Sequence, residues 1–254
     1  MTDAPDSTAP PDGGRFTHDL TTGSILRHLV MFSLPMLAGN LLQVAYSFVN
    51  AIWVGKFLGT TELAAVTVSF PIFFVLMALA GGLTMATNIL VSQYMGAKQW
   101  PQVRRVVQSS TLLIGLVSLG LLGVGLVCIP SLLRLMGTSD AVFGMAVGYM
   151  RLLLFTMPAS FGIFLLASLL RGAGDSTTPL IFQVASVLLN AALDPVLMFG
   201  WLGAPKLGLN GTAVATVISA LLALVALALY LQRRRHPMAP DWAHLSVDWP
   251  TWGQ

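Results

Sequence analysis

The stretch Leu112–Pro130, LLIGLVSLGLLGVGLVCIP, contains no charged residue and only one hydroxyl group. A helix needs about 20 apolar residues to cross the roughly 30 Å hydrocarbon core of a bilayer. This stretch meets that length and belongs to a longer charge-free run, so it predicts a membrane-spanning helix.

Similar runs recur along the whole chain of 254 residues, of which 56% are hydrophobic and only 9% charged. Soluble domains carry about 25% charged residues, so this composition cannot cover a water-facing surface. In the second run, Pro71 and the pair Gly81-Gly82 predict a bend. We expect an all-α, polytopic membrane protein, a bundle of six transmembrane helices, with spans at about 28–54, 63–94, 104–128, 141–169, 177–199 and 209–231.

Basic residues are distributed unevenly between the two sides that these spans define. Because cytoplasmic segments are enriched in Lys and Arg, the pattern predicts that both termini are cytoplasmic and that the protein is integral to the plasma (bacterial inner) membrane. Their position at span ends also argues against a nucleic-acid partner. The inner side would hold nine basic residues and the outer side three, namely Arg15, Arg27, Lys98, Arg104, Arg105, Arg171, Arg233, Arg234 and Arg235 against Lys56, Arg134 and Lys206.

The two ends of the chain differ in composition from the apolar centre. Residues 1–22 are rich in Pro, Asp, Gly, Ser and Thr, which predicts a solvated, disordered cytoplasmic tail. Residues 23–235 would form the six-helix transmembrane lobe. Residues 236–254 would begin a cytoplasmic linker, at which the chain looks truncated.

Asp194 is the only acidic residue deep within a predicted span, in the sequence LNAALDPVLMFG (189–200). With Gln183 and Asn190 it forms a stripe on one helix face, because residues seven and four apart lie above one another. An acid in hydrocarbon costs several kcal/mol unless it faces a polar cavity, so it marks an ion or substrate path by default. The alternative is a structural ion pair with Arg151, which lies in the fourth span. Pro195 favours function, because a kink beside it can free carbonyl oxygens for a cation.

A second stripe follows the first span at Asn40, Gln43, Ser47 and Asn50, with Tyr46 beside it. A milder one follows the sixth span at Thr212, Thr216 and Ser219. Such residues can line a cavity or simply join helices, at about 0.6 kcal/mol per contact. The spacing leaves both readings open.

Catalytic and metal-binding motifs are missing from the sequence. No Gly-x-Ser-x-Gly occurs, the histidines lie outside the deep parts of the spans, and Cys128 is the only cysteine, so we expect a non-enzyme without catalytic residues or a cofactor. The sequence RGAGDST (171–177) lacks the lysine of a phosphate loop and predicts a tight cytoplasmic turn.

Three segments together resemble the N-terminal lobe of multidrug and toxic compound extrusion (MATE) transporters: SLPMLAGNLLQVAYSFVNAIWVGKFLG (33–59), LLRGAGDSTTP (169–179) and LNAALDPVLMFG. The resemblance implies one lobe of a twelve-helix transporter, with a central cleft through which cationic drugs are exported in exchange for protons or sodium ions. It assigns to the cavity of this lobe Gln43, Tyr46, Asn50, Tyr149, Asn190, Asp194 and Thr212.

Position 50 departs from that family pattern, in which it is often Asp. With Asn50, Asp194 is the sole titratable carboxylate of the expected site. It could take up a proton, or it could bind Na⁺ together with Asn190, because carboxylate and amide oxygens suit a hard cation. The sequence does not choose between the two ions.

Three functional hypotheses remain. The first is an ion-coupled antiporter for cationic drugs or toxic organic compounds, embedded in membrane lipid, present as its N-terminal half and completed by a C-terminal lobe or a second copy. The second is a flippase for lipid-linked precursors, whose path should carry several cations to hold a pyrophosphate. The third is a non-transporting fragment or assembly partner.

Overall fold

The computed structural model describes residues 25–234, without the side chains of Ile25, Arg27, His28, Leu29 and Leu202. The described part is helical and contains no strand. Its elements are α1 (Ile25–Phe57), α2 (Thr60–Gly96), α3 (Trp100–Leu135), α4 (Asp140–Leu154), α5 (Met157–Gly172), α6 (Thr177–Phe199), a short 3-10 turn (Trp201–Gly203) and α7 (Leu209–Arg233). The predicted tail (1–22) and linker (236–254) lie outside the described residues.

Five of these helices, α1, α2, α3, α6 and α7, are long and apolar enough to cross a membrane. Helices α4 and α5 pass the same criterion only together, and counting this bent pair as one span gives six. Helix suits this environment because it satisfies every interior backbone N–H and C=O without water. The all-α, polytopic fold predicted from the sequence is confirmed.

The fourth span breaks between Leu154 and Met157, where α4 and α5 meet at 43°. Pro158 has no N–H and its ring crowds the carbonyl four residues earlier, which explains a break at this point. The backbone N–H groups of Phe155 and Thr156 turn instead to the carbonyls three residues before them, at 3.1 and 2.9 Å.

The second span, for which the sequence predicts a bend, is one continuous helix. Helix α2 runs without interruption from Thr60 to Gly96, past Pro71 and past Gly81-Gly82. A proline or glycine removes one hydrogen bond or one side chain, but neighbouring helices can hold the chain helical across it. Neither position interrupts the helix, and the predicted bend stays a prediction.

Helix α5 lies at the centre of the bundle and packs against α2, α3, α6 and α7. Nine of its sixteen residues are buried, among them Phe161, Leu165, Leu169 and Leu170. By contrast, α1 packs against α6 and α2, and only Gly39 and Val54 are buried along its described length. The core therefore lies around α5, and α1 is peripheral.

The turn between α5 and α6 is short and closed by its own residues. Gly174 adopts φ +88°, which suits glycine, and the Asp175 carboxylate accepts the backbone N–H groups of Thr177 and Thr178 at 3.0 and 2.9 Å. These N–H groups start α6 and have no helical acceptor. Since Asp175 already occupies them, the segment is the tight turn predicted from the sequence.

Helices α6 and α7 approach closely at the other end of α6. Gly200 has φ +77° and ends α6 before the 3-10 turn. A Cβ at Gly211 would stand only 2.6 Å from the carbonyl oxygen of Leu197. Only glycine fits there, and this contact sets Thr212 of α7 beside the end of α6 that carries Asp194.

Candidate functional site

Helices α1 and α6 meet along a polar seam in which their stripes run parallel, since residues 39, 46 and 50 of α1 face residues 183, 190 and 194 of α6. At one end, Gln183 Nε2 donates to the carbonyl of Gly39 at 3.1 Å. A Cβ at Gly39 would lie 2.8 Å from Gln183 Oε1, so the glycine makes room for this amide. At the other end, Asn50 of α1 and Asp194 of α6 line one cavity.

Asp194 is buried, with 8% of its surface exposed, and its carboxylate is bound by Tyr46. The Tyr46 hydroxyl donates to Asp194 Oδ2 at 2.8 Å and also contacts the side-chain amide of Asn190. A phenol has one hydrogen to donate, so the amide must donate to Tyr46. In that orientation Asn190 Nδ2 also faces Asp194 Oδ2 at 3.3 Å, and Asn190 Oδ1 faces the Thr216 hydroxyl at 3.2 Å.

A cavity of about 260 Å³ opens beside this carboxylate and is lined by Tyr46, Val49, Asn50, Trp53, Ala191, Asp194 and Pro195. Asn50 Oδ1 is buried and has no donor among the described residues. Pro195 lacks an N–H, so the carbonyl of Ala191 lacks its usual helical donor. Three kinds of oxygen acceptor therefore border one space, and its lining carries no Lys or Arg.

Two further predicted residues, Tyr149 and Thr212, are buried neighbours on α4 and α7. Tyr149 lies close enough to Asp194 to interact with it electrostatically, but it is not among the residues that line the cavity. The Thr212 hydroxyl donates to the carbonyl of Leu209 at 2.9 Å. Gln43, in contrast, is exposed on α1 and is not among the cavity lining.

The hydroxyl stripe of α7 is largely bonded within its own helix. Besides Thr212, Thr216 donates to the carbonyl of Thr212 at 2.9 Å and Ser219 to that of Ala215 at 2.6 Å. A hydroxyl whose hydrogen is used in this way can offer only lone pairs to a ligand. This stripe thus adds acceptors to the lobe rather than donors.

The alternative pairing of Asp194 with Arg151 is wrong. Asp194 is bound by Tyr46, whereas Arg151 is exposed on α4. Because Arg151 follows Tyr149 by two residues, it points about 200° away from it around the helix. The carboxylate of the site is therefore not neutralised by an arginine among the described residues.

Comparison with known proteins agrees with this geometry. The MatE family model matches residues 35–196, more than half of the chain. The chain belongs to the MATE family. It is 38% identical over 218 residues to the probable multidrug resistance protein YoeA of Bacillus subtilis, covering 86% of this chain and 47% of that protein. It is 28% identical over 212 residues to the multidrug export protein MepA of Staphylococcus aureus, covering 82% and 46%.

Solved MATE structures share the fold. An outward-facing multidrug resistance MATE transporter of the MOP superfamily superimposes with a TM-score of 0.81 at 28% identity, over 88% of this chain and 49% of that one. A MOP superfamily transporter from Pyrococcus furiosus, for which reversed polarity of the binding pocket suggests a different function, also gives 0.81 at 28% identity, over 89% and 50%. The chain spans about half the length of the relatives it matches.

Part of this MATE cavity escaped the sequence reasoning. Trp53 belongs to neither predicted polar stripe, yet it lines the cavity and packs against Phe57 with ring centroids 5.1 Å apart. Phe57 in turn meets Phe199 edge-on at 5.6 Å. Aromatic residues four apart at positions 53 and 57 were the available signal. The backbone acceptor at Ala191 could be inferred only from the proline four residues later.

Proposed function

We propose that this chain forms an ion-coupled lobe of a multidrug exporter, in which Asp194 binds the coupling ion. The observation that carries the proposal is that one cavity is lined by Asp194, by Asn50, whose amide oxygen has no donor among the described residues, and by Ala191, whose carbonyl loses its helical donor at Pro195. A cation satisfies all three acceptors at once. The names of the relatives, a multidrug resistance protein and a multidrug export protein, support drug export.

Coupling requires only that the ion binds with different affinity to the two conformations in which the cavity opens to opposite sides of the membrane. If an ion binds better to one facing, its binding shifts the population toward that facing and a cationic drug binds to the other. A proton on Asp194 and a sodium ion among the oxygen acceptors would both serve. The tyrosine at position 46 holds the carboxylate in place for either ion.

The complete transporter requires a second half in this proposal, either a C-terminal lobe or a second copy of the chain. Relatives about twice as long support that inference. The same proposal places the lobe in the bacterial inner membrane with both termini cytoplasmic, which rests on the excess of basic residues on the inner side.

A flippase for lipid-linked precursors would need cations in its path to hold a pyrophosphate. The cavity lining offers a carboxylate, an amide and aromatic rings, and among these residues no Lys or Arg. The polarity of the pocket therefore favours a cationic substrate. Because an MOP transporter of the same fold is distinguished by its pocket polarity, this feature discriminates better than the fold does.

The test is gradient-driven efflux from membrane vesicles of cells that express the chain from its own locus. Vesicles loaded with ethidium receive a proton gradient in one arm and a sodium gradient in the other. We expect Asp194→Asn to reduce efflux to the level of vesicles without the protein, while its amount in the membrane stays the same. Asp140→Asn, at the exposed start of α4, is the matched control and should transport normally.

The two arms also identify the ion, because wild-type protein should respond to one gradient. Normal efflux by Asp194→Asn under both gradients would show that the carboxylate is structural. Efflux lost equally in Asp140→Asn would point to a general effect of removing an acid.

A further inference from the structure

Arg151 carries a charge on a surface where none is expected. It lies eleven residues after the start of α4, about 16 Å along the helix axis, and its side chain is exposed. The residues that α4 buries against α2, α3 and α7 lie on its other side, among them Tyr149, Met150 and Leu153. Arg151 therefore stands on the uncovered face of a membrane-spanning helix.

The surroundings of that face are apolar. Exposed side chains along the neighbouring helices include Leu116 and Leu119 on α3 and Leu222 and Val225 on α7. Such a surface suits contact with acyl chains, and in their surroundings a charged side chain in the middle of a spanning helix costs about 2.5–3.5 kcal/mol. Within residues 25–234, Arg151 forms neither an ion pair nor a hydrogen bond that would offset this cost. Its counter-charge must come from outside the described chain.

The side chain has a clear route toward the headgroup region. Side chains of a helix lean toward its N-terminus, so Arg151 leans over Gly148 and Gly144, which lie three and seven residues earlier on the same face. A Cβ at Gly144 would have no neighbour within 4 Å, and one at Gly148 would meet only Asn210 Oδ1 at 3.9 Å. The two glycines thus leave an open lane along the helix from Arg151 toward its start.

A polar group borders this lane beside Gly148. Asn210 is exposed at the first turn of α7 and offers an amide next to Gly148. Arg134, at the end of α3, lies over the ring of Phe143 at 5.1 Å, and basic side chains at span ends are expected at the level of the headgroups. A guanidinium that extends along the lane would arrive just below that level. The anion that a bilayer presents there is the phosphodiester of a phospholipid.

We propose that Arg151, with Gly148 and Asn210, forms a binding site for the phosphodiester group of a phospholipid. The lipid belongs to the leaflet on the side where α4 begins, which is the outer leaflet in the predicted topology. The planar guanidinium donates two parallel hydrogen bonds to phosphate oxygens, the Asn210 amide supplies another, and one acyl chain covers the glycine lane. The site is separate from the Asp194 cavity and does not depend on the transport proposal.

The purified chain in mild detergent provides the test. Phosphatidylglycerol is titrated in, and its retention is followed by native mass spectrometry and its effect on thermal unfolding by the shift in Tm. We expect wild type to retain one lipid and gain stability, and Arg151→Leu to bind it about tenfold more weakly or worse, since hydrogen bonds to a charged group are lost. Arg151→Lys should fall between them. Inorganic phosphate and glycerol 3-phosphate should not change the Tm of wild type or of either variant.

Glycine variants keep the test decisive if Arg151→Leu fails to fold. Gly148→Leu leaves the arginine in place but fills the lane, and should weaken lipid retention several-fold. Gly123→Leu is the matched control, because Gly123 is an exposed glycine on α3 with open space around it. Wild-type retention by Arg151→Leu, equal losses in Gly148→Leu and Gly123→Leu, or stabilisation by free phosphate alone would each overturn the proposal.

Discussion

Two polar seams in this lobe use the same residue types to different ends. Between α2 and α5, Asn88 Nδ2 donates to the carbonyl of Ser168 at 2.9 Å, and the Ser168 hydroxyl donates to the carbonyl of Thr84 at 2.5 Å. Between α1 and α6, Tyr46 binds the Asp194 carboxylate, while the buried amide oxygen of Asn50 has no donor among the described residues. The polar groups of the α2–α5 seam bond to one another, whereas the α1–α6 seam leaves the acceptor Asn50 Oδ1 without a donor among the described residues.

This difference indicates that the α2–α5 seam holds two helices together, whereas the α1–α6 seam is suited to bind a ligand. Polar groups that satisfy one another between two helices hold those helices together and have nothing left for a ligand. A buried acceptor that has no donor costs desolvation free energy, and binding of a cation or of a donor group can offset that cost. The location fits this division, because α5 is central and α1 is peripheral.

The comparison predicts its largest effect at Tyr46. In Tyr46→Phe the ring remains but the donor to Asp194 is lost, and a hydrogen bond to a charged group is worth about 1.5–3 kcal/mol. Gradient-driven ethidium efflux should fall about 10- to 100-fold, and Tm should fall as well because the same hydrogen bond joins α1 to α6. Tyr230→Phe, on α7 with its ring 5.5 Å from Phe182, is the control and should transport normally. Unchanged efflux in Tyr46→Phe would remove the tyrosine from the site.

A second carboxylate in the α1–α6 cavity should strengthen cation binding. Asn50→Asp adds a negative charge to a lining that has no basic side chain. Two unit charges a few ångströms apart interact by several kcal/mol at protein surfaces, before solvent reduces the effect. The ethidium concentration that gives half-maximal transport should therefore drop about tenfold. An unchanged or higher value would show that the substrate does not sense this position.

Glycines at the two seams should respond differently to a methyl group. A Cβ at Gly172 would lie 3.0 Å from Val91 Cγ1 and 3.1 Å from the Asn88 carbonyl, so Gly172→Ala should cost about 1–3 kcal/mol of stability. The Cβ of Gly39→Ala would meet only side-chain atoms, of Gln183 and Leu180, which can turn away. Thermal unfolding should show a clearly lower Tm for the first variant alone. Equal losses would mean that both seams are rigid.

The smallest expected effect distinguishes the two seam asparagines. Asn88→Ala removes an interhelical hydrogen bond, which costs about 0.6 kcal/mol on average in membrane proteins. Asn50→Ala removes no hydrogen bond within the described residues, so its Tm should match wild type while its efflux changes. A stable Asn88 variant together with an unstable Asn50 variant would contradict the assignment of helix cohesion to the α2–α5 seam and of ligand binding to the α1–α6 seam.

The sequence predicted the helices well because bilayer thickness fixes their length. Each predicted span lies inside a described helix or, for 141–169, inside the pair α4 and α5. Asp194 also lines a cavity, which fits the expectation that an acid within a span faces a polar space. These inferences rest on solvent and periodicity, which a single sequence contains.

Other features depended on packing that one sequence does not reveal. Pro158 lies beside a break whereas Pro71 lies within an unbroken helix, because neighbouring helices decide whether a freed carbonyl is tolerated. Gln43 shares a face with Asn50 but is not part of the cavity lining. Two helices that cross at an angle keep a stripe in contact over only part of their length.

Because α1 packs sparsely, the free energy that attaches it to the bundle is small and can be changed by ligand binding. A helix with two buried residues and contacts to α6 and α2 belongs to the low end of local stability, where backbone amides exchange with solvent first. Any cation held between Asn50 and Asp194 bridges this helix to α6, so its binding free energy adds directly to that of attachment. Amide exchange along α1 should then slow as the bound ion is titrated in, while α5 stays unaffected. The ion concentration on either side of the membrane would then determine the free energy with which α1, one wall of the cavity, is attached to α6.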